Sequence, residues 1–185
     1  MSNIIKDRKV VHDAWKVVTL MADENPLSVN LPVGPLLVPV RAWQARRTEL
    51  ICREYEHGWP LGVWLDAAEG PEIIAEDLDD FTVIAVNFPK FTDGRGYSTA
   101  RLLRQRYGYD GELRAIGDVL RDQLFYLKRS GFNAFAVRAD KNIQDALTGL
   151  RDFSESYQAA SDQPLPLFRR RANSGGIQQP AKEPA

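Results

Sequence analysis

Cysteine is nearly missing from this chain: Cys52 stands alone among 185 residues. No intrachain disulfide can form, which excludes a disulfide-stapled secreted fold. A lone thiol also makes no Cys-x-x-Cys redox pair and cannot by itself hold an iron–sulfur cluster. Histidine is almost as scarce. His12 and His57 lie far apart, with no cysteine or carboxylate grouping at metal-ligand spacing, so no metal site is expected. An excess of one charge is lacking too: 24 Lys and Arg against 25 Asp and Glu leave a formal net charge of −1. That removes any global pull toward nucleic acid or an anionic membrane, and neither is expected as a partner. No apolar run approaches the ~20 residues that span a bilayer. Residues 1–11 carry Lys6, Asp7, Arg8 and Lys9 with no long apolar run after them, unlike a signal peptide. The expected compartment is the cytoplasm. Also missing are a Walker glycine–lysine loop, a Gly-x-Gly-x-x-Gly after any strand, a haem-attaching Cys-x-x-Cys-His and a Ser–His–Asp arrangement.

What is present is an ordinary globular composition, 44% apolar and 26% charged, at a length that suits one domain with tails. Residues 1–33 read as a hairpin-and-loop extension. From 34 to 158 short apolar runs alternate with helical stripes, giving five strand–helix repeats at 36–56, 61–78, 82–107, 113–129 and 132–153. The strongest strand is Thr82–Phe88, whose near-continuous apolar run suits a strand covered on both faces. The clearest helical stripe is Ile143, Ala146, Leu147, Leu150 and Phe153. This pattern predicts an α/β fold with a mainly parallel sheet. An open Rossmann-like sheet is favoured over a partial β/α barrel. From 159 to 185 the chain turns to Ser, Gln, Pro and Gly around Arg169, Arg170 and Arg171, and a disordered tail is expected. Trp15, Trp43, Trp59 and Trp64 follow no stacking period and read as core, and Cys52 reads as a buried helix residue.

Parallel sheets gather functional groups at the carboxyl ends of their strands, where the loops into the helices meet. Here those ends carry Asp66, then Asn87, Lys90, Asp93 and Arg95, then Asp118, and last Arg138, Asp140 and Lys141. The densest loop, 87–96, ends in Gly94, Arg95 and Gly96 and runs into a helix expected from about 97. A helix N-terminus there offers unpaired N–H groups and partial positive charge to an anion. Asn87, Lys90, Asp93, Gly94, Arg95, Gly96, Asp118 and Arg138 are therefore the candidate anion-binding residues for sulfite, phosphate or a carboxylate. An Asp93–Arg95 contact that merely holds the loop is the alternative, and Asp118 sits where the cap of the next helix belongs, the reading favoured for it. Arg101 and Arg104 share a face of a helix with no acidic residue and are the candidate docking cations. No residue is assigned a catalytic role.

Four stretches carry a family likeness: Asn87–Ser98 (NFPKFTDGRGYS), Ala100–Arg104 (ARLLR), Gly111–Phe125 (GELRAIGDVLRDQLF) and Gly131-Phe132. Over roughly residues 35–158 the chain resembles the bacterial family known as domain of unknown function 934. The resemblance implies a role in assimilatory sulfite reduction, beside the sulfite reductase haemoprotein, and the label of an oxidoreductase of that pathway. The residues supply no electron carrier of their own, and no cofactor is evident, although a flavin bound without a short motif stays open. The leading expectation is thus an accessory protein that binds the haemoprotein or its electron donor through residues 87–106. The rival is a small oxidoreductase or oxyanion-binding enzyme, flavin-dependent or not, acting at the strand-end rim.

Overall fold

The computed structural model describes residues 2–21 and 23–174. The chain opens on a hairpin of β1 (Ser2–Lys6) and β2 (Lys9–Asp13). Asp7 and Arg8 turn it with φ of 48° and 64°, as a two-residue hairpin loop requires. There follow β3 (Lys16–Val17), β4 (Leu36–Pro39), α1 (Val40–His57), β5 (Leu61–Leu65) and β6 (Val83–Phe88). Next come α2 (Arg95–Gln105), β7 (Glu112–Gly117), α3 (Leu124–Ser130), β8 (Ala134–Phe135), α4 (Ile143–Gly149) and α5 (Leu167–Ser174). α1 stops at Gly58, whose φ of 64° lets its N–H reach the Glu54 carbonyl at 2.8 Å. The crossover between β5 and β6 holds only two 3₁₀ turns, Pro71–Ile74 and Leu78–Asp80, where the sequence suggests a short helix.

All eight strands join one sheet in the order β2-β1-β8-β7-β6-β5-β4-β3. The five pairings from β3 to β8 are parallel, and β1 pairs antiparallel with both β8 and β2, so the sheet is mixed. The expected α/β class and its parallel centre are present. The favoured open Rossmann-like arrangement is not. A doubly wound sheet reverses its strand order at a switch point, whereas β3 to β8 follow one another without reversal. Every crossover therefore steps the same way, and α1, α2 and α3 lie on the same face. The two edge strands, β2 and β3, are consecutive in the chain with only Ala14 and Trp15 between them. At a reach of ~3.6 Å per residue, the Cα atoms of Asp13 and Lys16 lie within about 11 Å. The sheet must curl to bring its edges that near, and it forms a curled half-barrel.

The two faces of the sheet are unlike. Ile84, Val86 and Phe88 point outward and pack against Trp43, Ala100, Leu103 and Leu127 from the helices, within one large buried cluster. Leu37, Val83, Ala85 and Ile116 point inward, joined by Trp15, Trp64 and Ala136, and no helix touches them in that cluster. The strands read as continuous apolar runs because both faces are covered.

Beyond the last repeat the chain folds back. The Ser161 N–H donates to the Arg129 carbonyl at 3.0 Å, Asp162 pairs with Lys128 and Arg129, and α5 follows. Residues 159–174 of the expected tail thus carry defined contacts, while 175–185 lie outside the described residues. Among the described residues no helix is long and apolar enough to cross a membrane.

Candidate functional site

Strand register places Asn87, Asp118 and Arg138 at the carboxyl ends of β6, β7 and β8, and their loops meet. The Asp118 carboxylate accepts the Phe91 N–H at 2.9 Å from the loop after β6, and it accepts the Arg138 guanidinium at 2.8 Å from the loop after β8. Asn87 donates to Asp66 at 3.0 Å, which ties in the end of β5. Four loops therefore form one connected rim, as the sequence pattern indicates. Gly117 makes the closeness possible. Its φ is 91°, and a Cβ there would stand 2.4 Å from the Phe88 carbonyl oxygen and 2.5 Å from Asn87 Oδ1.

Most rim charge is spent within the rim. Asp93 grips the Arg95 guanidinium at 2.6 and 3.0 Å and accepts the Arg95 N–H at 3.2 Å. These contacts hold its carboxyl at about 2, well below the usual carboxylate range. A carboxylate of the chain already sits at the first turn of α2, where the sequence suggests an outside anion. Gly94 precedes that turn, and Gly96 lies against the Phe88 ring, 2.6 Å from where its Cβ would be. Lys90 is exposed on the loop. Arg138 also bonds Asp140 at 2.6 and 3.0 Å. That raises its already high pKa and holds Asp140 at about 2, while Asp118 is lowered mainly by the Phe91 N–H and then by Arg138. Asp118 caps no helix. The following turn begins on the Leu120 N–H, bonded by the Gln123 side chain at 2.9 Å, and Asn142 caps α4.

The proposed docking pair separates. Arg101 is exposed and bonds Gln105 at 2.9 Å. Arg104 instead turns inward to the carbonyls of Gly131, Gly111 and Tyr109, and burial lowers its pKa. A guanidinium holding three main-chain acceptors fixes α2 to the loops around it, so Arg104 is no surface cation. Cys52 is exposed rather than buried.

The inner face holds a charge cluster that the sequence reading overlooks. Arg114 on β7, 1% exposed, pairs with Glu112 at 2.6 Å and with Asp13 at 3.1 Å, and Lys6 reaches Glu112 at 2.7 Å. The Arg114 guanidinium also lies 5.9 Å from the Trp15 ring centre. The available signal was the alternation in Glu112-Leu113-Arg114-Ala115, charged residues two apart in an otherwise apolar strand. Two clefts open where this face meets the rim. One of about 420 Å³ is walled by Val17, Trp64, Ile116, Ala136 and Arg138, with Asn87 beside them. The other, about 890 Å³, is lined by His12, Trp15, Lys16, Arg138 and Lys141. They share Val137, Arg138 and Ala139. Among the described residues no group of His, Cys, Asp and Glu could hold a metal ion.

A model of the family described as "Bacterial protein of unknown function (DUF934)" matches residues 62–168, a span that takes in the rim from Asp66 to Arg138 and the outer face of α2 and α3. No curated protein matches the chain.

Proposed function

The chain belongs to the bacterial DUF934 family, and from that premise we propose that it is an accessory protein of assimilatory sulfite reduction, docking on the sulfite reductase haemoprotein or its electron donor. The pathway comes from the family resemblance. The observation that carries a docking role is a groove of about 400 Å³ on the outside of α2 and α3, walled by Tyr97, Arg101, Tyr126, Arg129 and Tyr157. Tyr126 is 60% exposed and Tyr157 65%. Tyr97 packs against Tyr126 with ring centres 5.0 Å apart and planes tilted by 50°, which presents the pair as one preformed wall. Tyrosine and arginine are the residue types that most often dominate protein interfaces. Arg101, exposed and bonded only to a neutral amide, suits an acidic partner surface. Such a role places the protein in the cytoplasm.

The test is co-purification with the sirohaem protein, compared with Arg101→Glu and Tyr126→Ala. The expected result is a complex weakened at least about tenfold by either change. A complex indifferent to both removes this docking surface, and normal growth on sulfate after deletion of the gene removes the pathway.

A second reading, a small oxidoreductase or oxyanion-binding enzyme at the rim, draws on the two clefts that open there. A yellow protein absorbing at flavin wavelengths supports its flavin-dependent form. Anion affinity that falls in Arg138→Ala, the arginine common to both clefts, supports the oxyanion form.

A further inference from the structure

The mouth of the half-barrel lies on the opposite face from the docking groove and has a chemistry of its own. Its smaller cleft is apolar on several sides, with the Trp64 indole and Val17, Ile116 and Ala136. Trp64 is fixed by its ring N–H, which donates to the Val18 carbonyl at 2.8 Å, so the ring is a rigid wall. Gly117, Ala136 and Ala139 add little bulk, which leaves room for a ring to lie against the indole. A volume of about 420 Å³ falls within the ~300–1,000 Å³ usual for small-molecule sites.

The charge around it is uneven in one respect. At the rim the cations Lys16, Arg138 and Lys141 face two carboxylates, Asp118 and Asp140, both engaged by Arg138, with Lys141 on Asp140 at 3.3 Å. The inner quartet of Lys6, Glu112, Arg114 and Asp13 is neutral as a set. Lys16 donates to the neutral Val33 carbonyl at 2.7 Å. Asp66, bonded to Asn87 at the β5 end of the rim, balances the sum of these charges, but Lys16 has no carboxylate partner among the described residues, so the positive charge is concentrated on its side, beside the larger cleft.

We infer that the mouth of the half-barrel binds a small planar aromatic molecule carrying one acidic group. The ring lies along Trp64, Ile116 and Ala136, and the acid turns toward Lys16, Lys141 and the remaining N–H groups of Arg138. The guanidinium is held in place by two carboxylates, so it meets the ligand without reorganising. The site does not depend on the docking role: it uses the inner face, and the proposed partner uses the outer one.

The test uses the full chain and two fluorescent probes with the same flat ring, naphthalene-2-sulfonate and the uncharged 2-naphthol, titrated with near-ultraviolet circular dichroism as the check of folding. One sulfonate bound per chain, at least about tenfold tighter than the uncharged probe, is the expected result. Ala136→Leu fills the cleft and weakens both probes at least about tenfold. Lys16→Glu with Lys141→Glu, at exposed positions, weakens the sulfonate about tenfold and leaves the uncharged probe within about twofold. No saturable binding, or binding indifferent to both sets of changes, overturns the site. Equal affinity for the two probes overturns its anion preference. Should Ala136→Leu not fold, the surface pair alone decides.

Discussion

The two faces of this sheet are built from alternate residues of the same strands and are stabilised by different physics. Outward, Ile84, Val86 and Phe88 meet helices, and the interface is a continuous apolar layer. Inward, one residue along, Val83 and Ala85 meet only the curl of the sheet, two indoles and a cluster of three buried charges, Glu112, Arg114 and Asp13, with the part-exposed Lys6 at its edge. Gly62 shows how tight that side is. A Cβ there would stand 2.6 Å from Leu37 Cδ2 and 3.2 Å from the Trp15 ring. The outer face gains its stability from area removed from water. The inner face trades some of that gain for buried ion pairs, which contribute little net stability but fix one arrangement. The two apolar sides of these parallel strands are therefore apolar for different reasons. The outer layer holds the fold together, and the inner one ties the hairpin to β7 across the intervening β8.

The largest effect separates the faces by charge. Arg114→Ala leaves Glu112 and Asp13 buried without their shared partner and should cost about 4 kcal/mol in urea unfolding. Adding Glu112→Gln and Asp13→Asn should restore part of that loss. A triple variant no more stable than the single one would mean that Arg114 acts through packing alone. Leu103→Ala, on the outer face and fully buried, should cost about 3 kcal/mol through the cavity it leaves. That cost should not change with salt, because no charge is uncovered. Gly117→Ala tests the seam where the faces end at the rim. Its φ of 91° and the Phe88 carbonyl 2.4 Å from the new methyl force β6 and β7 apart. The expected cost is about 2 kcal/mol, together with loss of the Asp118 bond to the Phe91 N–H, visible as faster exchange of that amide.

Sequence patterning located the outer face well and the inner face poorly, and the difference has a physical cause. Helical stripes such as Ala146 and Leu150, both buried against the sheet, announce themselves at a period of 3.6 because their other side is wet. The ends of β6, β7 and β8 are legible too, so spacing alone places Asn87, Asp118 and Arg138 on one rim. Curl was not legible. Whether strands wind one way or reverse depends on the order of pairing, which apolar runs do not encode. The two-residue step from β2 to β3 looks like any short loop. Arg104 misled for a similar reason: two arginines on one helix face without an acid look like a surface, yet its partners are carbonyls of residues 109, 111 and 131, and carbonyls leave no trace in side-chain pattern. Trp15 and Trp64 read as generic core because their role as inner walls depends on the same curl.

The smallest expected effect comes from the rim and tells it apart from both faces. Asp93 and Asp140 are held at about 2, against an ordinary 3.8, chiefly by hydrogen bonds from Arg95 and Arg138. Below pH 4 the unfolded chain binds more protons at these positions than the folded one. Their contribution to stability is therefore complete above the ordinary carboxylate value and is lost as the pH falls toward about 2. Asp93→Asn with Asp140→Asn should flatten the fall of the melting temperature between pH 4 and pH 2 and change little above pH 5. Both carboxylates are on the surface, so added salt should flatten the same stretch in the unmodified protein. Leu103→Ala, by contrast, should lower the whole curve without changing its slope. If the double variant keeps the full acid slope, the acid sensitivity lies elsewhere than in these rim pairs, and the rim arginines are held by geometry rather than by charge.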